Sequence, residues 1–173
     1  MSRFDTCLAA VTKLEGGTSN HPADKGGLTM AGVTQATYDA YRRRKGLPPR
    51  PVTQSAPGER ADIYRSQYWA PVRGDALPPP LDLVIFDMAV NSGPDRAIKT
   101  LQRVLGVTPD GVFGNQTLRA LQEDTAAGQV DHLVSQVLEL REAFYRGIVA
   151  RDASQKVFLA GWLNRLDALE SMT

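Results

Sequence analysis

The sequence predicts a mainly α-helical domain with one small glycine-rich insert near its N-terminus. Apolar residues recur at helical spacing through most of the 173 residues. Glycines and prolines interrupt this spacing and mark the ends of the helices. The chain offers no set of partner strands from which a sheet could be built. We therefore expect one helical domain over residues 1–173, with halves at 1–93 and 94–173.

The composition excludes several classes of protein. The formal net charge is +1, so no strong field attracts nucleic acid or a membrane surface. Cys7 is the only cysteine, which excludes an intramolecular disulfide. No window approaches the roughly 18 apolar residues of a membrane-spanning helix. The N-terminus carries no signal-peptide pattern, so we expect synthesis in the cytoplasm.

The first predicted helix covers Ser2–Leu14. It places Phe4, Cys7, Leu8, Val11 and Leu14 on one face at helical spacing, and Gly16-Gly17 ends it. The insert over residues 18–33 holds too many glycines and prolines for a helix. We expect an irregular loop or a small β-hairpin there.

The next elements follow from capping and breaking residues. Thr34 predicts the N-cap of a helix that continues through Tyr41. A proline-rich connection over 47–57 leads to a helix over 58–69, which Pro71 stops.

The second half begins with a run, residues 81–91, that is apolar on nearly all sides. Periodicity alone leaves a buried helix or a buried strand open, and the preceding Pro78–Pro80 favours the helix. An amphipathic helix follows around 98–105, and Asp110-Gly111 predicts a turn. Asn115 or Thr117 opens a further helix, and two more are expected over 128–150 and 154–171.

The candidate chemistry lies in the insert. Glu15 ends the first helix, where the negative end of the helix dipole disfavours ionisation, so the residue could hold a proton and act as a general acid. Asp24 lies nine positions later beside Gly26-Gly27, and Thr29 adds a hydroxyl. Asp24 and Thr29 could hold a water opposite Glu15, as a glycosidase requires. The alternative is a solvated helix end followed by an ordinary turn.

The same residues carry a family resemblance. Glu15-Gly16-Gly17, the run Asn20 to Thr29 and Gly32-Val33-Thr34 resemble the hallmark of phage endolysins and related secretion-associated muramidases. The resemblance implies a lysozyme-like fold and cleavage of the β-1,4 bond between N-acetylmuramic acid and N-acetylglucosamine, with Glu15 as the essential acid. The run Asp110 to Gly114 is similar to a peptidoglycan-binding repeat of the C-terminal half of this family.

Further side chains are candidates for substrate binding. Asn91 lies one helical turn after Asp87 and could bond a sugar N-acetyl group, or it could simply end its helix. Tyr68 and Tyr145 could line a cleft by stacking on sugar faces, whereas Trp162 is expected in the core.

The charged and metal-ligating residues give weaker signals. The basic run Arg42–Lys45 indicates either a solvated helix end or attraction to anionic envelope polymers. His21 and His132 lie too far apart in the sequence to suggest a zinc site.

These observations together predict a monomeric muramidase whose partner is the peptidoglycan glycan strand. We expect it to need no cofactor or metal, to bind no nucleic acid and not to insert stably into a membrane. A holin or a dedicated transporter would release it to act in the periplasm. Three alternatives remain open: a lytic transglycosylase, a non-catalytic peptidoglycan-binding protein, and a basic membrane-active segment over 41–45 that acts independently of catalysis.

Overall fold

A computed structural model describes residues 2–15 and 29–173 of the chain. The chain divides into two compact units, Met1–Tyr68 and Trp69–Thr173. The described residues form eight α-helices and one two-stranded hairpin, so the mainly α-helical prediction is confirmed. None of the helices described is both long and apolar enough to cross a membrane.

The first unit is built from helices and the hairpin. Its elements are α1 (Arg3–Glu15), β1 (Thr29–Met30), β2 (Val33–Thr34), α2 (Gln35–Arg44), a 3-10 turn (Val52–Gln54), α3 (Pro57–Tyr64) and the start of a π-helical turn (Arg65–Trp69). The predicted cap is confirmed, because the Thr34 hydroxyl accepts a hydrogen bond from the Thr37 amide at 3.2 Å. The hairpin confirms the β-hairpin alternative for the end of the insert.

A polar cluster ties α2 to α3 within the first unit. Glu59 accepts hydrogen bonds from Arg42 at 2.7 Å and from the Tyr38 hydroxyl at 2.7 Å, and Arg50 pairs with the same carboxylate. Arg42 is therefore 6% exposed. The expectation of a wholly solvated basic run was wrong at Arg42, because a carboxylate seventeen positions later neutralises that guanidinium. The residues that follow it, Arg43, Arg44 and Lys45, are exposed.

The second unit is entirely helical over its described elements. They are a 3-10 turn (Gly74–Ala76), α4 (Leu81–Ser92), α5 (Pro94–Val104), α6 (Asn115–Ala126), α7 (Val130–Arg151), a 3-10 turn (Ala153–Gln155) and α8 (Lys156–Glu170). The ambiguous run 81–91 is a helix, and every residue from Leu81 to Ala89 is buried. Helix α4 contacts α5 and α7, and α7 contacts α8.

The turn before α6 has a structural role. The buried Gln102 donates to Asp110 Oδ1 at 2.7 Å and to the Thr117 hydroxyl at 3.1 Å, and it accepts from the Gly111 amide at 2.9 Å. Asn115 does not cap α6, since the cap position is Gly114 and Asn115 is the first helical residue. The buried side chain of Gln102 therefore fixes the conformation of this turn.

The core of the second unit contains a buried ionic cluster. Asp87 on α4 accepts hydrogen bonds from Arg141 on α7 at 2.6 Å and from Arg165 on α8 at 2.6 Å. Asp87 and Arg141 have fully buried side chains. A carboxylate taken out of water needs such partners, because its desolvation would otherwise be prohibitive. Asp87 therefore fixes three helices against one another.

Replacing Asp87 with asparagine should strongly destabilise the protein. The change leaves two guanidinium groups without their common counterion, and losing one partner of a buried pair costs about 3–5 kcal/mol. Urea unfolding followed by circular dichroism measures the free energy. Glu139→Gln, an exposed change on α7, is the control and should stay within about 0.5 kcal/mol of wild type. An equally small change for Asp87→Asn would contradict the ionic role.

Glu59 should make stability depend on pH in the acid range. Burial opposes its ionisation, but the Ala56 amide, the Tyr38 hydroxyl, Arg50 and Arg42 outweigh burial and lower the pKa of Glu59. A lowered pKa in the folded state means that this stabilisation is complete above the unfolded pKa of about 4.3 and is lost as the pH falls through the folded value.

The comparison of wild type with Glu59→Gln tests this dependence. The gap in free energy of unfolding between the two proteins should be largest near pH 7 and should shrink below about pH 4.3. Urea titrations at several pH values measure it. A gap that stays constant down to the acid transition would exclude Glu59 as the source.

Candidate active site

Glu15 is placed by the packing of helix α1. Phe4, Cys7 and Val11 are the buried residues of this helix. Glu15 follows Val11 by four positions, so it lies on the same face, which is turned toward the interior of the first unit. Its side chain is half-buried, and its Oε1 atom is shielded from solvent. The carboxyl group therefore occupies the edge of the core rather than a solvated helix end.

The turn of the hairpin lies directly against this carboxyl group. Met30 pairs with Val33, which leaves Ala31 and Gly32 as a two-residue turn with φ of 46° and 77°. Positive φ at both positions is the pattern of a type I′ hairpin turn. A Cβ built on Gly32 would lie 3.1 Å from Oε2 of Glu15 and would overlap the hydroxyl of Tyr64. Glycine at this position is what lets the turn approach the carboxylate.

Tyr64 on α3 holds the turn in place. Its ring is buried, and its hydroxyl donates to the carbonyl oxygen of Ala31 at 2.8 Å. This hydrogen bond joins residues that are thirty-three positions apart in the sequence. Tyr64 is not among the site residues predicted from the sequence. Its place one helical turn before Tyr68 was the available signal.

Tyr68 lies within electrostatic reach of Glu15. Burial raises the pKa of the Tyr68 phenol, and the negative charge of Glu15 raises it further. The rings of Tyr64 and Tyr68 stand 5.7 Å apart at a tilt of 46°. The first unit thus brings the predicted acid and one predicted substrate-binding aromatic close to each other, and Gly32 and Tyr64 lie beside them.

Of the two residues predicted to hold the attacking water, the structure describes only one. Asp24 lies outside the described residues. Thr29 begins strand β1, where its Cα pairs with that of Thr34. Roles for Asp24 and Thr29 remain predictions from the sequence.

The remaining predicted binding residues, Asn91 and Tyr145, meet in the second unit. Tyr145 on α7 is buried, and its hydroxyl donates to Oδ1 of Asn91 at 2.6 Å. Asn91 lies at the C-terminal end of α4 and is exposed. The expectation that Trp162 belongs to the core was wrong in part, because its ring is half-buried and lines a surface cavity with Asn91.

The described residues show no metal centre. Within 2–15 and 29–173, no group of three or more histidine, cysteine, aspartate or glutamate side chains is arranged to hold an ion. The described site consists of a carboxyl group, a glycine turn and two tyrosines.

The chain is similar to proteins of a known family. Residues 8–93, which include Glu15, the hairpin and Tyr68, match the family described as Glycosyl hydrolase 108. The solved structure of SagA from Brucella abortus is similar, with a TM-score of 0.81 and 34% sequence identity over 98% of this chain and 92% of that chain. The chain belongs to the glycosyl hydrolase 108 family.

Further matches extend the assignment. Residues 96–167 match the family described as Predicted Peptidoglycan domain. No curated protein matches the chain. The two family matches make the protein a glycoside hydrolase that acts on peptidoglycan, and they confirm the family resemblance inferred from the sequence.

Replacing Gly32 with alanine should impair catalysis more than the backbone strain alone would. The new methyl group would overlap the Tyr64 hydroxyl and crowd Glu15, and displacement of a reacting group by about 1 Å can cost a hundredfold in rate. We expect the initial rate of peptidoglycan solubilisation to fall at least tenfold.

Gly46→Ala is the matched control. Gly46 also has a positive φ, 67°, but nothing lies within 4 Å of its Cβ position. It carries a similar strain, about 1–2 kcal/mol, without the contact. Equal rates for the two variants would show that the approach of the turn to Glu15 is irrelevant to catalysis.

Proposed function

We propose that the protein is an N-acetylmuramidase. It would cleave the β-1,4 bond between N-acetylmuramic acid and N-acetylglucosamine in peptidoglycan, with Glu15 as the general acid. The observation that carries this proposal is the position of the Glu15 carboxyl group, which is half-buried and packed against the backbone of Gly32. A group that must deliver a proton to one oxygen atom needs such fixed placement.

The proposed reaction is a hydrolysis. Glu15 gives its proton to the glycosidic oxygen as the bond between that oxygen and C1 breaks, and the bonding electrons leave with the oxygen. Water adds to C1 of the sugar, whose transition state resembles an oxocarbenium ion, and a carboxylate accepts the proton from that water. The products are two glycan ends, of which one is a reducing N-acetylmuramic acid.

Asp24 is the residue we assign to the water, and Thr29 assists it. The support is the sequence, in which Asp24 follows Glu15 by nine positions and stands beside Gly26-Gly27. Tyr68 is proposed to contact a sugar next to the cleaved bond. Its support is the electrostatic influence of Glu15 on the Tyr68 phenol, which requires the two side chains to be near each other.

The proposed setting is lysis of a bacterial wall by an endolysin-type enzyme. The protein would be made in the cytoplasm, would be released through a holin or a dedicated transporter, and would act as a monomer in the periplasm. The support is the resemblance of the Glu15 motif to phage endolysins and secretion-associated muramidases, together with the family match.

Digestion of purified peptidoglycan by wild type and by Glu15→Gln tests the proposal. We expect soluble products with reducible N-acetylmuramic acid ends from wild type and at least a thousandfold slower release from Glu15→Gln, as for loss of an essential acid. Mass spectrometry identifies the ends. Glu170→Gln, at an exposed position of α8, is the control and should match wild type.

Other product patterns would contradict parts of the proposal. Anhydro-muramic ends would mean that the muramic 6-hydroxyl attacks instead of water, which is the transglycosylase reaction. Reducing N-acetylglucosamine ends would move the cleavage to the other glycosidic bond. A folded Glu15→Gln variant with full activity would remove Glu15 from the mechanism.

A further inference from the structure

The second unit carries a surface cavity that the proposed catalysis does not use. It has a volume of about 260 Å³ and lies among α4, α5, α7 and α8. This is slightly smaller than the roughly 300–1,000 Å³ of a site for a drug-sized ligand, so the cavity suits a ligand of about one sugar residue. Its lining includes Asn91, Ser92, Arg96, Phe144, Ile148 and Trp162.

The orientation of one amide in this cavity is fixed from the core. Arg141 is held by Asp87, and its Nε donates to the Tyr145 hydroxyl at 3.1 Å. Arginine has no acceptor, so the Tyr145 oxygen must accept there, and its single proton must go to Oδ1 of Asn91. The Ser92 hydroxyl also donates to that oxygen, at 3.2 Å.

A defined hydrogen-bonding character follows for the cavity. Oδ1 of Asn91 already accepts hydrogen bonds from the hydroxyls of Tyr145 and Ser92. The NH₂ group is therefore the end of the exposed amide that remains for a ligand. The cavity therefore presents two donors that suit a carbonyl oxygen. A flipped amide would bring its NH₂ against the Tyr145 hydroxyl, and the phenol proton would lose its acceptor.

Aromatic and cationic groups complete the lining. The Trp162 ring stacks on Tyr145 with centroids 5.1 Å apart and planes 24° apart, so its position is rigid. The Arg96 guanidinium lies 4.0 Å from the centroid of the Phe144 ring. Stacking on an aromatic face orients the guanidinium and leaves its edge for an anion.

We propose that this cavity binds an N-acetylated sugar that carries a free carboxylate, such as an N-acetylmuramic acid unit whose lactyl carboxyl group is not linked to a stem peptide. The acetamido carbonyl accepts from the Asn91 amide, the carboxylate pairs with Arg96, and the apolar face of the sugar packs on Trp162. The proposal rests on the proposed function for the class of polymer, and it adds a binding site with its own selectivity. Tyr145 is a positioning residue, because it acts through Asn91.

Binding measured in the Glu15→Gln protein tests the site without turnover. Chemical shifts of the labelled protein are followed by NMR as N-acetylmuramic acid or N-acetylglucosamine is added. We expect shifts at Asn91 and at the Trp162 indole, and tighter binding of the acid than of the neutral sugar. An absence of shifts in the cavity at saturating sugar would overturn the proposal.

Three substitutions separate the contributions of the lining. Asn91→Asp keeps the acceptor for Tyr145 but replaces the NH₂ group with an oxygen, so it should weaken both sugars about tenfold, as expected for loss of a hydrogen bond to a bound ligand. Arg96→Gln should abolish the preference for the acid. Trp162→Ala should weaken both sugars. Unchanged affinities in folded Asn91→Asp would overturn the role of the amide.

Matched controls are available on helices that contribute to the cavity lining. Asn164→Asp on α8 and Arg103→Gln on α5 repeat the changes at exposed positions outside the cavity lining, and both should bind like the parent. Tyr145→Phe removes the hydroxyl that orients Asn91. It should weaken N-acetyl recognition while the preference for the acid persists, which a merely structural defect would not produce.

The outcome is separable from that of the proposed function. If the cavity binds the acid but wild type releases no muramic ends, the muramidase proposal fails and this site stands. If digestion proceeds as proposed but the cavity binds neither sugar, this inference fails alone.

Discussion

The buried carboxylate of Asp87 organises the second unit. Helix α4 is enclosed by apolar neighbours along nearly its whole length, so hydrophobic burial alone would leave its rotation and its depth poorly specified. Two guanidinium groups from different helices converge on one carboxylate and permit one arrangement. The orientation then passes outward through Arg141 and Tyr145 to the amide of Asn91. A charge in the core thereby determines what the surface presents.

In the first unit, contacts with the backbone position the functional side chain. The Glu15 carboxyl group meets the turn residue Gly32 instead of a flexible side chain. The turn is fixed because the Tyr64 hydroxyl bonds to a main-chain carbonyl, which has no rotamers to sample. The site therefore couples one helix end, one hairpin and one tyrosine, each of which is anchored by its own buried neighbours.

Local signals allowed most of the fold to be predicted from the sequence. The Thr34 cap and the breaks at Gly93 and Pro94 act through neighbouring residues, so they can be recognised without tertiary information. The helix over 81–91 could not be decided by periodicity, because burial on all sides removes the polar face that reveals the period. The position of Glu15 at a helix end was also predictable.

Contacts between distant residues limited the prediction of the site. Arg42 and Glu59 are seventeen positions apart, and Asp87 and Arg141 are fifty-four apart. A single sequence shows the charges but not which of them meet, so Arg42 was expected in solvent. The same limit hid Tyr64, whose partner is a backbone carbonyl with no identity in the sequence.

The fixed amide of Asn91 has a consequence for resistance of the wall. Bacteria can remove acetyl groups from their glycan strands, which turns a carbonyl acceptor into an ammonium group. A cavity that offers an amide NH₂ and the guanidinium of Arg96 would face that ammonium with donors and a positive charge, which disfavour its binding. Under the proposed mode of binding, deacetylated strands would be excluded by the same hydrogen-bond chain that starts at Asp87. The core of the second unit would then determine whether the enzyme binds acetylated or deacetylated cell walls.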